Sequence, residues 1–417
     1  MARNKLYRLT SSFASLAAVQ VSTNLASLVT VPFLSRVLGP ASWGALVLAQ
    51  AIRMVTWPLV EYGFTYSATR DIALDTSRPQ DQQAVIGRVL GVQIVLSVAS
   101  GAVILAIWWL VGPAHLDFRL LAFAWIGAVF SGTLPWWYFQ SLGGLWAPAL
   151  TTVAARWLAV VALFIVVGGP QDTWIVLALD ALAAGSAVFV SFSVVRKRAG
   201  ALPLHLGWLS RDLREGWHVF TYRFAERVQD PVTTLAVGAI SGPVPAGFFG
   251  GLEKIIKLLR SVTQSAMRAA LGVQVSEPLV LVQSRRQLWQ GLWPTIAVGF
   301  AGALVLFLGR HLITSALLGP EFAPVADLIG IGAVLVPLIL VTAFVVTTVL
   351  IPAGADSGVG AATVRSTLAL ALAAAALIPP FGAPGAVIAL IIAETVRSVL
   401  LVRQAERHLE GAVAGAA

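Results

Sequence analysis

Stretches of about twenty apolar residues recur from one end of this 417-residue chain to the other, and each is long enough to cross a bilayer as a helix. That recurrence constrains the fold strongly, because a backbone in hydrocarbon must satisfy its own hydrogen bonds. Only 11% of the residues are charged, against about 25% in an ordinary soluble domain, so the apolar runs have no polar surface to balance them. The expected fold class is an all-α polytopic membrane protein.

Breaks at Gly, Pro and charge clusters predict twelve helices. In the first half they span 11–34, 42–64, 88–111, 119–140, 149–168 and 173–195; in the second, 217–240, 246–271, 289–309, 324–349, 361–379 and 384–402. With the N-terminus in the cytoplasm, 18 of the 28 Lys and Arg fall on the cytoplasmic side. Only Arg36, Arg119 and Arg310 fall outside, and seven lie within spans. This bias is the positive-inside pattern and places both termini in the cytoplasm. The basic start "MARNKLYR" is followed by no small-residue cleavage site, so the first apolar stretch is expected to be a retained helix.

The mid-chain segment "RKRAGALPLHLGWLSRDLREG" (196–216) alternates Leu and Trp with charges, as a cytoplasmic amphipathic linker does. It divides the chain into an N-terminal lobe, 1–195, and a C-terminal lobe, 217–417, of six helices each. The halves also echo each other. Gly39, Pro40 and Gly44 match Gly242, Pro243 and Gly247 at a constant offset of 203, each set opening the second helix of its half. Such a parallel repeat implies two lobes related by a pseudo-twofold along the membrane normal.

Several charges sit where hydrocarbon should be. At about 1.5 Å rise per residue, Lys254, Lys257 and Arg260 lie roughly 12, 17 and 21 Å from the outer end of their helix. Arg223, Arg227 and Asp230 lie roughly 9, 15 and 20 Å from the inner end of theirs, and Arg53 about 16 Å deep in the second helix. Each costs about 2.5–3.5 kcal/mol at the bilayer centre on insertion scales. Local pairing accounts for part of the set: Arg223 and Arg227 reach Glu226 and Asp230 at i+3 and i+4, and Glu253 reaches Lys257. Six cations then face three acids. The surplus of about three positive charges calls for a water-filled cavity or an anion, with ion networks that only pack helices as the alternative, and phosphate suits Arg and Lys donors. Arg53 has no local partner, whereas Arg156 and Asp180 can pair between the fifth and sixth helices. The aromatic run "PWWYFQ" (135–140) reads as an interfacial belt, with sugar stacking as the alternative.

Other chemistries are absent from the pattern. The chain has no cysteine, its five histidines are scattered, and no GxxxxGK[ST] loop or loop cluster of carboxylates occurs. No catalytic residue, metal site or cofactor is expected. The net charge of +9 serves helix orientation, so no nucleic-acid partner is expected either.

Six segments carry a resemblance. "VPFLSRVLGPASWG" (31–44), "EYGFTYSATRDIA" (61–73), "PWWYFQSLGGL" (135–145), "SGPVPAGFFGGLEKI" (241–255), "LLGPEFAPVADLI" (317–329) and "PPFGAPGAVIALIIAET" (379–395) stand in order over nearly the whole chain. Together they resemble the bacterial O-antigen and polysaccharide flippases of the multidrug/oligosaccharidyl-lipid/polysaccharide (MOP) exporter superfamily. The chain departs from the family at Ser141, Leu142, Gly143 and Gly144, where Gly–Leu/Ile–Glu is usual, and at "VLIPAGADSG" (349–358).

The resemblance implies a two-lobed bundle in the bacterial inner membrane whose central cavity opens alternately to either side. It implies an undecaprenyl-diphosphate-linked oligosaccharide as cargo, moved from the inner to the outer leaflet, with membrane lipids and other polysaccharide assembly proteins as partners. On that reading Arg53, Arg223, Arg227, Lys254, Lys257 and Arg260 hold the diphosphate, while Glu226, Asp230 and Glu253 balance charge or couple transport. The coupling ion stays open. Two alternatives remain. A cation-coupled multidrug exporter of the same superfamily would need a cavity with acidic or aromatic walls, yet this centre is net positive and the first helix holds Asn24 and no carboxylate. A membrane polysaccharide polymerase or ligase would need a long catalytic outer loop.

Overall fold

A computed structural model describes residues 2–75, 79–111, 117–142, 146–200, 204, 207, 209–274 and 284–414, and the described residues contain no strand. Helix α1 (Ala2–Glu61) is broken at Gly39, whose φ of 69° and ψ of 172° are not helical. Then follow α2 (Phe64–Asp75), α3 (Pro79–Val111), α4 (Phe118–Thr133), α5 (Trp136–Ser141), α6 (Trp146–Val166), α7 (Thr173–Ala199) and α8 (Leu209–Ser241). The remainder is α9 (Pro243–Gln274), α10 (Arg285–Leu317), α11 (Pro324–Gly332), α12 (Leu335–Val345), α13 (Asp356–Phe381) and α14 (Ala383–Ala414).

The twelve expected spans are mostly helical, with breaks after Glu61, Thr133 and Gly332 inside the second, fourth and tenth, and among the described residues eight helical stretches are by themselves long and apolar enough to cross a membrane. The figure becomes nine if α11 and the helix beyond it, bent by 41°, count as one span. One of the eight, Val19–Ile72, contains the Gly39 break. Helices α8 and α9 are not among them; these are the helices that carry the clustered charges.

The chain forms two compact units, Met1–Val232 and Thr233–Ala417. This division falls later than the expected linker. The basic triplet Arg196–Arg198 is the last turn of α7, and α8 runs without a break from Leu209 into the seventh expected span. The first turns of α8 stay with unit 1 because they pack there. Tyr62 stacks on Phe220 with ring centroids 4.5 Å apart, and its hydroxyl donates to the Leu213 carbonyl at 2.8 Å.

Within unit 1, α4 packs on α1 and α7, and α6 on α1 and α7. Its core at one end gathers Tyr62, Phe64, Ile86, Trp137, Tyr138, Phe139 and Val195. The aromatic run at 135–140 is therefore not a belt: Trp137, Tyr138 and Phe139 are at most 2% exposed, closed to lipid headgroups and to a sugar alike. Burying three large rings contributes more than an interfacial seat would, since each removes about 150–250 Å² from solvent.

Within unit 2, α13 packs on α14, α10 on α12, and α12 on α14, around Leu288, Leu292, Val345, Leu350, Leu401 and Ala405. The unit opens with the same local device as the second half of α1. Gly242 has φ 92° where Gly39 has φ 69°, each followed by a proline, in the left-handed region that only glycine enters at little cost. The repeat at offset 203 is thus a repeat of positive φ at the glycine as well as of letters.

Candidate functional site

Among the described residues of unit 1, the charges at the candidate site fall into two groups. In the first, the Arg53 guanidinium bonds the Asp180 carboxylate on α7 and donates to the Ser131 hydroxyl on α4 at 3.0 Å. Arg156 on α6 lies 3.6 Å from the second oxygen of Asp180, so two guanidiniums share one carboxylate. Gly127 leaves the room this needs, because a Cβ there would sit 3.1 Å from Arg53 Nε. The expected Arg156–Asp180 pair is present, and Arg53, which has no partner near it in sequence, is its third member.

The second group joins the end of α1 to α8. Arg227 donates to Glu61 at 2.7 Å, and its guanidinium lies 5.2 Å from the Trp57 ring centroid. The other Glu61 oxygen accepts from the Thr65 N–H at 3.2 Å, in the first turn of α2. Arg227 thus reaches across to α1 for its recorded acid. The side chains of Arg223 and Glu226 lie outside the described residues, while Asp230 is partly buried on α8.

In unit 2, Lys257 bonds Glu253 one turn away, as its spacing predicts, and the second Glu253 oxygen accepts from Thr234 at 2.8 Å. Lys254 is partly buried on the same helix. Arg260 donates to Glu394 on α14 at 2.6 Å, and that carboxylate is only 6% exposed.

The expected surplus of three positive charges therefore shrinks. Glu61, Asp180 and Glu394 were not counted against it, and each lies far along the chain from the cation it meets, by 166, 127 and 134 residues. A signal existed: a carboxylate inside an apolar run is too costly to stand alone. Counting those three acids and Arg156 leaves seven cations against six acids, an excess of one.

A further triad holds the N-terminal end of α8 to unit 1. Arg88 lies 2.6 Å from Asp71 and 3.3 Å from Asp212. Burial pushes the Asp212 carboxyl above its usual range, and Arg88 only partly offsets this. A carboxyl raised on folding takes up its proton more readily in the folded state. Stability from this group therefore rises as pH falls through its folded-state pKa, and is lost as pH rises through it. Asp212→Asn should raise Tm by about 2 °C at neutral pH and flatten the acid side of a Tm-against-pH series. Asp71 remains to hold Arg88. An unchanged slope would show that Asp212 is not the titrating group.

Comparison with known proteins bears on this geometry. The family described as "Polysaccharide biosynthesis protein" matches residues 9–271. A putative O-antigen transporter of Escherichia coli (strain K12) is 27% identical over 312 residues, 74% of this chain and 75% of that protein. One of Shigella dysenteriae is 23% identical, covering 79% of this chain and 82% of its own length. Among solved structures, the lipid II flippase MurJ in an inward closed conformation has TM-score 0.63 at 10% identity, covering 98% of this chain and 89% of that one. An inward-facing multidrug resistance MATE family transporter of the MOP superfamily has TM-score 0.59 at 14% identity, covering 96% and 100%. At these identities the two structures show the fold alone.

Proposed function

This chain belongs to the polysaccharide biosynthesis protein family, and we propose that it is a flippase for undecaprenyl-diphosphate-linked oligosaccharide. It carries the O-antigen or another surface-polysaccharide repeat unit from the inner to the outer leaflet by alternating access. The resemblance to named O-antigen transporters over about three quarters of the chain supports the cargo class. The observation that carries the reading is the set of guanidinium and ammonium groups held inside otherwise apolar spans.

On this proposal Arg53, Arg223, Arg227, Lys254, Lys257 and Arg260 receive the diphosphate, while Glu226, Asp230 and Glu253 balance them between cargoes. The recorded carboxylate partners do not defeat the idea; they make it an exchange. A buried guanidinium needs an anion at every stage, so a carboxylate keeps it competent until a phosphate with more oxygens takes over. An interior-negative potential favours outward movement of anionic cargo by about 2.3 kcal/mol per charge per 100 mV. Twelve spans with both termini in the cytoplasm, and no covalent chemistry, complete the proposal.

The test is transfer of lipid-linked oligosaccharide across proteoliposomes, with mass spectrometry of the cargo before and after. Transfer with unaltered covalent structure is expected. Arg53→Ala and Lys257→Ala should each reduce the rate at least about tenfold, the worth of one or more charge-assisted hydrogen bonds. Unchanged rates in both variants would overturn the site assignment, and a cleaved or extended glycan would overturn the transport reading.

A further inference from the structure

The repeat at offset 203 continues into the charges. Unit 1 pairs an arginine on the second half of α1 with an acid on α7, and unit 2 pairs an arginine on α9 with an acid on α14. These are the second and sixth expected spans of each half. Arg53 stands fourteen residues after Gly39, and Arg260 eighteen after Gly242. Asp180 stands seven after the first residue of α7, and Glu394 eleven after that of α14. Both members have moved by four residues, about one helical turn, and the pairing between the two helices has been kept.

In the second unit's pair the acid is close to sealed, Glu394 being 6% exposed and Arg260 26%. In the first unit's pair the acid is more open, Asp180 being 28% exposed beside Arg53 at 19%, and the pair carries an addition. Arg156 brings a second guanidinium to Asp180 and, among the described residues, makes no hydrogen bond of its own. Two guanidiniums on one carboxylate leave one net positive charge inside a span. Asp180 offers two oxygens to groups that together carry ten N–H donors. The arrangement is short of both negative charge and acceptor atoms, and a phosphate group supplies both.

We propose that Arg53, Arg156, Ser131 and Asp180 form a binding site for one phosphate group, in which Asp180 is a resident placeholder. It bridges the two guanidiniums and yields them when a phosphate oxygen arrives, with Ser131 free to donate once its hydroxyl turns from the Gly127 carbonyl it now bonds at 2.7 Å. This rests on the proposed transport of diphosphate-linked cargo and adds Arg156, Ser131 and Asp180 to its recognition. A merely structural Asp180 predicts the opposite sign, because its loss would loosen the site.

The experiment measures binding of undecaprenyl diphosphate, inorganic pyrophosphate and uncharged undecaprenol to the full-length protein in nanodiscs. Asp180→Asn should tighten undecaprenyl diphosphate severalfold, Arg156→Ala should weaken it about tenfold, and neither should alter undecaprenol. Arg156→Ala leaves the Arg53–Asp180 bond intact, so it decides the matter even if Asp180→Asn fails to fold. The same responses with pyrophosphate alone would keep the site and assign it to free phosphates. Weaker binding in a folded Asp180→Asn would overturn the placeholder. If Arg227→Ala and Lys257→Ala weaken binding while Arg156→Ala and Asp180→Asn do not, the site falls and the flippase reading stands. If the unaltered protein binds neither phosphate ligand, both fall.

Discussion

Arg260→Ala is expected to destabilise unit 2 by about 3–5 kcal/mol, the usual result of stripping one partner from a buried ion pair. The Glu394 carboxylate it leaves behind is 6% exposed, and among the described residues one of its oxygens, Oε2, already has no hydrogen-bond partner. The charge could then neither reach water nor find a donor. Replacing both residues, Arg260→Leu with Glu394→Leu, removes the charge problem at its source and should restore most of the lost Tm, as apolar replacements of buried pairs often do. Thermal unfolding of the purified protein reads both effects. The double variant also separates two roles of Arg260: it should regain most of the parent's Tm and still fail to move lipid-linked oligosaccharide. Wild-type transport in that variant would remove Arg260 from the diphosphate contacts. A single variant that melts with the parent would show that the pair contributes nothing to the fold.

Gly385→Ala should cost about 3 kcal/mol, at the upper end of the usual penalty for overpacking, and Gly385→Val more. Helices α13 and α14 are joined through Gly382 alone, at φ +60°, so the two backbones meet directly beyond the turn. A Cβ on Gly385 would collide with the Leu377 carbonyl oxygen and stand 2.6 Å from its carbon and 3.1 Å from the Ile378 nitrogen. Backbone atoms in a helix cannot swing aside as a side chain does. Gly302→Ala is the matched control, since its Cβ would meet only Val336 Cγ1 at 3.3 Å, and it should change Tm little. Equal melting of the two variants would refute the close-approach account.

The elements were legible because each depends on residues near in sequence. Apolar run length located the spans, and "GP" at 39–40 and 242–243 marked two of the breaks where φ turns positive. The Glu253–Lys257 bond was legible for the same reason, one helical turn being a fixed distance. The aromatic run at 135–140 was misplaced because a Trp- and Tyr-rich helix end looks the same whether headgroups or other helices cover it. The packing of α5 on α2 decided for the core. The extent of the first compact unit was likewise set by contact, through Tyr62 on Phe220 and Leu213.

Residue order alone determined that this chain must be a bundle of membrane-length helices with cations in its interior, since hydropathy and rise per residue need no partner to act. Which acid meets Arg227, Arg53 and Arg260 was decided only in three dimensions. Glu61, Asp180 and Glu394 reach Arg227, Arg53 and Arg260 across more than a hundred residues. The register between two packed helices depends on the side chains interleaved at their contact, and no spacing within one helix encodes it.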